Sequence, residues 1–263
     1  MQIVTWNING LRARMDYIKL WIEERQPDVV GLQELKMEDG KFPHEEFEAL
    51  GYRCITHGQK SWNGVAILSR LPIEHIESGL PGQEDFGARL IRAKVGEGND
   101  AVDFTTLYCP NGKNTDHDDY QRKLAWFDAL KQWADEFVEP EASAVLCGDF
   151  NIVPTGLDTW DEASFVGSVF HTEEERTRIA ALLNVGLTDL YREREPETQA
   201  FSWWDYRSGS FHRKHGLRID FVLGTKAIVD RLRSVEIDRD FRKKKDGLTP
   251  SDHAPVIAHL DTA

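Results

Sequence analysis

The chain lacks the residues that several common chemistries require. Its cysteines number three, Cys54, Cys109 and Cys147, each set in an apolar stretch. So few, at such spacing, exclude a disulfide framework and suit small buried hydrophobes in a reducing compartment. No group of Cys and His has zinc spacing, no glycine-rich loop could cradle a phosphate, and no serine sits at a nucleophile elbow. Long apolar runs are missing too: nothing approaches the roughly 18 residues that a membrane span needs. The start, Met1-Gln2-Ile3-Val4-Thr5-Trp6, has neither the basic residues nor the apolar run of a signal peptide. A cytoplasmic protein without a membrane partner is expected. There is no repeat, low-complexity tract or linker, so residues 1–263 are read as one domain, acting as a monomer.

What is present describes an ordinary globular chain, with 40% hydrophobic and 29% charged residues. The net charge of −13 argues against bulk attraction to a polyanion. A local basic face remains open, because a Debye length of about 8 Å screens remote acids. Two basic clusters qualify: His212-Arg213-Lys214-His215 with Arg218, and Arg242-Lys243-Lys244-Lys245. Each could equally be a solvated loop.

Ile3 to Ile8 reads as a strand. Met15, Ile18, Trp21 and Ile22 then form a helical stripe, which Pro27 ends before a second strand at 28–34. A short helix is predicted around His44 to Leu50, and longer ones at Tyr120–Phe137 and Glu173–Asn184. Further strands are predicted at Tyr52–Thr56, Gly64–Ser69, Arg89–Val95, Ala101–Tyr108, Phe201–Arg207, Leu217–Leu223, Val235–Asp240 and Ala254–Leu260. Ala144-Val145-Leu146-Cys147 makes a buried strand that runs into Gly148-Asp149-Phe150-Asn151. Residues two apart on an extended chain share a face, so Asp149 and Asn151 should project into one space. A turn that merely closes the strand is the plain alternative. Between Pro154 and Thr172 lies a long irregular stretch, of a kind that is usually functional.

The polar strand ends form a set: Asn7, Glu34, Tyr108 with Asn111, Asp149 with Asn151, Asp220, and Asp252-His253. Core packing asks for no acid at any of them. Carboxylates and amide oxygens suit a hard divalent cation, Mg²⁺ or Mn²⁺.

These residues stand in Trp6-Asn7-Ile8-Asn9-Gly10-Leu11-Arg12-Ala13, Gly31-Leu32-Gln33-Glu34, Gly148-Asp149-Phe150-Asn151, Gly216-Leu217-Arg218-Ile219-Asp220 and Pro250-Ser251-Asp252-His253-Ala254-Pro255. In order and over essentially the whole chain, they resemble the motifs of the exonuclease III family within the endonuclease/exonuclease/phosphatase superfamily. The resemblance implies an α/β fold, a four-layer αββα sandwich with two mainly antiparallel sheets face to face and helices outside. It implies a Mg²⁺-dependent phosphodiesterase on duplex DNA, which cleaves 5′ to abasic sites and trims 3′ ends to leave 3′-hydroxyls.

By position, the resemblance makes Glu34 a metal ligand, with Asn7 nearby and Asp252 as a further ligand. Asp149 would activate or orient water with Asn151, His253 oriented by Asp220 would contact the scissile phosphate, and Tyr108 would hold or polarise it. Trp203, Leu217 and Phe201 resemble the apolar pocket for an extrahelical sugar, while Arg207, Asn111, Lys113 and Arg89 would touch phosphates. Three positions depart from the family pattern. Leu35 replaces a small hydroxyl residue, Leu217 stands where vertebrate-type abasic endonucleases carry Trp, and Asn111 replaces the Gln frequent in the exonuclease III subgroup. The competing readings are another hydrolase of the superfamily acting on a non-DNA phosphate ester, and a DNA-binding module without catalysis.

Overall fold

In the computed structural model, residues 1–139 and 141–262 are described; the Phe137 side chain, part of the predicted helical stripe, lies outside that set. Among the described residues, twelve strands form two six-stranded sheets. They are β1 (Gln2–Asn7), β2 (Val29–Gln33), β3 (Arg53–His57), β4 (Val65–Ser69), β5 (Ile73–Ser78), β6 (Leu90–Val95), β7 (Val102–Tyr108), β8 (Ala144–Asp149), β9 (Thr188–Asp189), β10 (Asp220–Gly224), β11 (Leu232–Ile237) and β12 (Val256–Leu260). The first sheet runs β11-β12-β1-β2-β4-β3 and the second β5-β6-β7-β8-β10-β9. Each holds one parallel pair, β1 with β2 and β7 with β8; the other pairings are antiparallel. Parallel neighbours need a crossover. The first pair is joined by helix α1 (Leu11–Arg25), while a short α2 (His44–Glu48) precedes β3, and α3 (Asp118–Phe137) joins the second pair.

Alternation along the strands sorts the side chains into layers. Ile3 of β1 and Val145 and Cys147 of β8 share the core between the sheets with Phe104 and Val222. Val4 and Trp6 turn outward onto Tyr17, Ile18, Trp21 and Ile22 of α1. Across the molecule, Leu146, Leu107 and Phe221 pack on Trp126, Phe127 and Leu130 of α3. The expected four layers are therefore present, each sheet having a helical coat.

The same period of two decides where polar residues go. Asn7, Tyr108, Asp149 and Asp220 continue the inward-facing series of β1, β7, β8 and β10. In the second sheet, Tyr108 pairs with Asp149, and Asp149 with Asp220, so the three lie in one row. Below this end, Gln33 Nε2 donates to Thr5 Oγ1 (2.9 Å) in its own sheet and to Thr106 Oγ1 (2.7 Å) in the other. The sheets approach closely there. A Cβ on Gly31 would come within 2.5 Å of Thr106 Oγ1.

The structure departs from the sequence reading at several segments, the two-residue β9 and the short helix Glu162–Phe165 among them. Strand β5 was not anticipated, since it is an edge strand with only Ile73 and Ile76 as apolar residues and mostly exposed positions. Phe201–Arg207 is not a strand. Ser202 and Trp203 both donate their N–H to the Leu217 carbonyl (2.8 and 2.9 Å), a bulge that leaves only single bridges from Trp203 to Leu217 and to His253. No helix among the described residues is long and apolar enough to cross a membrane.

Replacing Gly31 by Ala should lower stability by about 1–3 kcal/mol, because the extra methyl overpacks the inter-sheet layer. Urea unfolding would reveal this as a lower midpoint, and an unchanged midpoint would show that the sheets do not require the close approach.

Candidate active site

The inward-facing ends of β1 and β8 meet through one side chain. Asn7 Nδ2 donates to Asp149 Oδ2 (2.8 Å) and also to Glu34 Oε1 (2.9 Å) just past β2, while its Oδ1 accepts from the Asn9 N–H (2.9 Å). Asn7 thus faces the two carboxylates with its amide donors. The other oxygen of Asp149 accepts the Asn151 N–H (2.9 Å), and Asn151 Nδ2 donates to the Cys109 carbonyl (2.9 Å). Asn151 has left the extended chain, with φ of 50°. The turn at Gly148-Asp149-Phe150-Asn151 therefore closes the strand and orients Asp149 at once. Glycine is required at 148, where a Cβ would lie 1.9 Å from the Leu107 carbonyl oxygen.

His253 enters from the segment before β12. Its Nδ1 contacts Asp220 Oδ2 (2.9 Å), leaving Nε2 at 3.8 Å from Asp149 Oδ2. Asp220 Oδ2 also accepts from Ser202 Oγ (2.5 Å), whose oxygen in turn accepts the Asp220 N–H (3.1 Å). Burial opposes a charge on His253, but Asp220 and then Asp149 outweigh it and raise the imidazole to about 10. The ring is therefore a cation at neutral pH. Burial pushes Asp149 up to about 7; the His253 charge pulls the other way, and Asp220 adds to the rise. Tyr108 is raised well above its ordinary range, first by burial and then by Glu34 and Asp149, so its hydroxyl stays protonated.

Ligand atoms of Glu34, Asp149 and His253 all lie within 4.8 Å of one another. Two carboxylates so close, one of them held acid-like by desolvation, suit a hard divalent cation, whose charge would pull Asp149 back down. Lys36 Nζ stands 2.9 Å from Glu34 Oε2 and supplies a positive charge at that position. Asp252 is a neighbour of this group, not a member of it. Its Oδ1 accepts from Asn9 Nδ2 (2.9 Å) and its Oδ2 from Trp203 Nε1 (3.0 Å).

The expected DNA contacts separate. Trp203 packs with Leu217 in a small cluster completed by Val153, Ile219, Trp160 and Phe170. Phe201 instead meets Trp204 edge-on and lines a neighbouring cavity with His215. Trp160 and Phe170, which lie in the stretch read as irregular, thus join the Trp203–Leu217 cluster; their aromatic character there was the available signal. Arg89 lies over the Tyr108 ring at 4.9 Å, while Asn111 and Lys113 share a cavity wall with it. Arg207 is exposed and paired with Asp205 (2.6 Å).

Two members of the basic clusters are not surface groups. Arg218 is 1% exposed, its Nε 2.6 Å from Asp158 and its Nη2 2.7 Å from Asp189. Arg242 is buried and donates to the carbonyls of Asp252 (3.0 Å) and Trp204 (2.9 Å), which ties the Trp203 segment to the His253 segment. Lys123 of α3 has a similar role on the far side. Fully buried, it donates to Glu175 (2.5 Å) on the helix Glu173–Leu183 and to the Asn151 and Asn111 carbonyls (2.6 and 3.3 Å). One ammonium thus anchors the loops that follow both β7 and β8.

A model of the endonuclease/exonuclease/phosphatase family matches residues 4–253. The chain is 36% identical to exodeoxyribonuclease III of Haemophilus influenzae over 99% of its own length and all of that protein's. A 3′ phosphatase from Neisseria bound to a product DNA hairpin superposes with a TM-score of 0.93 at 37% identity, covering 99% of each chain. An AP endonuclease from Archaeoglobus fulgidus gives 0.94 at 32% identity over the full length of both.

Substituting Met for Lys123 should cost about 3–5 kcal/mol, since Glu175 would be left as a buried unpaired charge. Chemical denaturation would measure it, and adding Glu175→Gln to the variant should recover most of the loss.

Proposed function

Because this chain belongs to the endonuclease/exonuclease/phosphatase family, we propose that it is a DNA-repair phosphodiesterase that cleaves 5′ to abasic sites in duplex DNA and trims 3′ ends to 3′-hydroxyls. One observation carries the reading. The facing ends of both sheets converge on Glu34, Asp149 and His253 within 4.8 Å, with Asn7 joining the two carboxylates.

Phosphodiester hydrolysis needs a positioned water, a counter-charge for the developing oxyanion and a stabilised leaving oxygen. Asp149, locked by the Asn151 N–H and Asn7, is the group that accepts or orients the proton of the water. His253, held cationic by Asp220, stabilises negative charge on the phosphate from Nε2. Tyr108, kept protonated by its surroundings, donates its hydroxyl to a phosphate oxygen. Glu34 and Asp149 would hold Mg²⁺, or Mn²⁺ in its place, which supplies Lewis-acid stabilisation of charge on the phosphate when bound. Asp252 orients Trp203 through its indole N–H, so it acts on the apolar cluster that would receive a base-less sugar. Such a sugar is cheap to extrude from the duplex, and the difference supplies selectivity.

A hydrolase of a non-DNA phosphate ester would share the carboxylate and His–Asp core. It has no use for the Trp203 cluster, or for cations such as Arg12, Arg14 and Lys60, which line a cleft beside Asn9 and Lys36. The protein is taken to act as a single copy.

A duplex oligonucleotide with one abasic analogue should be incised in Mg²⁺ and left intact in EDTA; no metal-dependent incision would remove the proposal. On the same substrate, Asp149→Asn and His253→Ala should each lower kcat by at least about 10²-fold while circular dichroism stays unchanged. Near-normal turnover in either variant would remove that residue from its role.

A further inference from the structure

Trp62 has no place in the site as described. It exposes 69% of its surface, more than any other large apolar side chain among the described residues. Its neighbours Ser61 and Asn63 both hold positive φ, 70° and 52°, so the turn is a built one. The backbone below it is pinned: the Asn63 carbonyl accepts the Lys36 N–H (2.8 Å), and the Gly64 carbonyl accepts the Leu35 N–H (3.0 Å). Asn63 Nδ2 adds a bond to Gln59 Oε1 (3.0 Å). These contacts fix the turn to the residues that directly follow Glu34. The turn so bonded leaves the indole open to solvent on the wall of a cavity, where a flat apolar group from outside the chain could lie against it.

Trp62 lines a cavity of about 440 Å³ whose walls also include Tyr108, Arg89, Asn111 and Arg122. The catalytic phenol and the open indole thus share one cavity wall, which also carries Lys113 and the acids Asp85 and Asp119, the latter paired with Lys113 and Arg122. Arg89 donates to the carbonyls of Phe86 (2.8 Å) and Tyr108 (3.1 Å), with no carboxylate pair among the described residues. Its charge, over the Tyr108 ring at 4.9 Å, is available to an anion entering this cavity.

We propose that this cavity is a subsite for one unpaired nucleotide of the DNA substrate, its base stacked on Trp62 and its phosphate drawn by Arg89. The inference rests on the DNA reading above. A base within the duplex already stacks on its neighbours, whereas an unpaired one offers both faces to a platform. Stacking on an aromatic side chain contributes about 1–3 kcal/mol per base and tolerates any sequence. A mismatched or frayed nucleotide beside the scissile phosphate should thus be favoured over a paired one. Trp62 would set that preference without taking part in bond cleavage.

Two measurements test this on the intact chain. In EDTA, an oligonucleotide carrying unpaired 2-aminopurine at its 3′ end should lose fluorescence on binding the wild type. Trp62→Ala should bind it at least about fivefold more weakly, with Trp62→Phe retaining most of the affinity. In Mg²⁺, the ratio of kcat/KM for a mismatched over a paired 3′ end should fall by about fivefold or more in Trp62→Ala. No quenching with the wild type, unaltered affinity in Trp62→Ala, or an equal loss on paired and unpaired ends would each overturn the subsite. Failure of the wild type to cleave any DNA would sink the DNA reading instead, and the metal-free binding measurement would still decide the role of Trp62.

Discussion

A single hydrogen bond between the sheets, from Asn7 Nδ2 to Asp149 Oδ2 at 2.8 Å, organises the molecule's chemical end. It exists because β1 and β8 both run outward at the same end of the sandwich, each with a parallel neighbour. Their last inward-facing positions then oppose each other across the core. Every residue of the cluster follows from this arrangement. Glu34 lies just past β2 beside β1, Tyr108 ends β7 beside β8, and Asp220 starts antiparallel β10 in the same row. A slip of one residue in any of these strands would turn the side chain into the outer helical layer.

Such a cluster opposes folding, because desolvated carboxylates repel one another. The chain answers with donors placed one by one. Asn7 serves Glu34 and Asp149, the Asn151 N–H serves Asp149, and Ser202 with His253 serves Asp220. Buried cations then secure the loops from behind: Lys123 under Asn151 and Asn111, Arg242 under Trp204 and Asp252, Arg218 between Asp158 and Asp189. Held this way, the acids are pre-positioned and the residual negative field is left for a divalent cation. Burial, with Asp220 nearby, raises the proton affinity of Asp149.

Much of this was legible before the structure. The layers follow from the alternation of apolar residues in β1, β2, β7 and β8, and the polar residues that interrupt it at strand ends pointed to Asn7, Glu34, Tyr108, Asp149 and Asp220. The motif order suggested the sandwich, and the two sheets bear it out. What could not be read was anything set by the third dimension. Asp149 and Asn151 looked like side chains on one face, yet the turn at Asn151 makes its backbone N–H the group that meets Asp149. Arg218 and Arg242 read as basic surface because their acceptors, two aspartates and two carbonyls, are remote or featureless in sequence. Lys123 gave no signal at all, being one lysine in an amphipathic helix.

The net charge of −13 loses its force for the same reason. Many of the surface acids are matched: Asp28 with Arg70, Asp103 with Arg92, Asp128 with Arg178, Asp240 with Lys243 and Lys245. Among the described residues, some cations that lack such a match line clefts close to the site, with Arg12, Arg14 and Lys60 in one, Arg89 in a second, and Arg213 and Lys214 in a third beside Phe201, while Arg53 and Lys94 line another at the far end of the sheets. At about 8 Å of screening, a phosphate backbone approaching these clefts meets their charge rather than the chain's total. An acidic chain can therefore present local basic clefts where several cations without a carboxylate partner share one wall, as Arg12, Arg14 and Lys60 do beside Asn9 and Lys36.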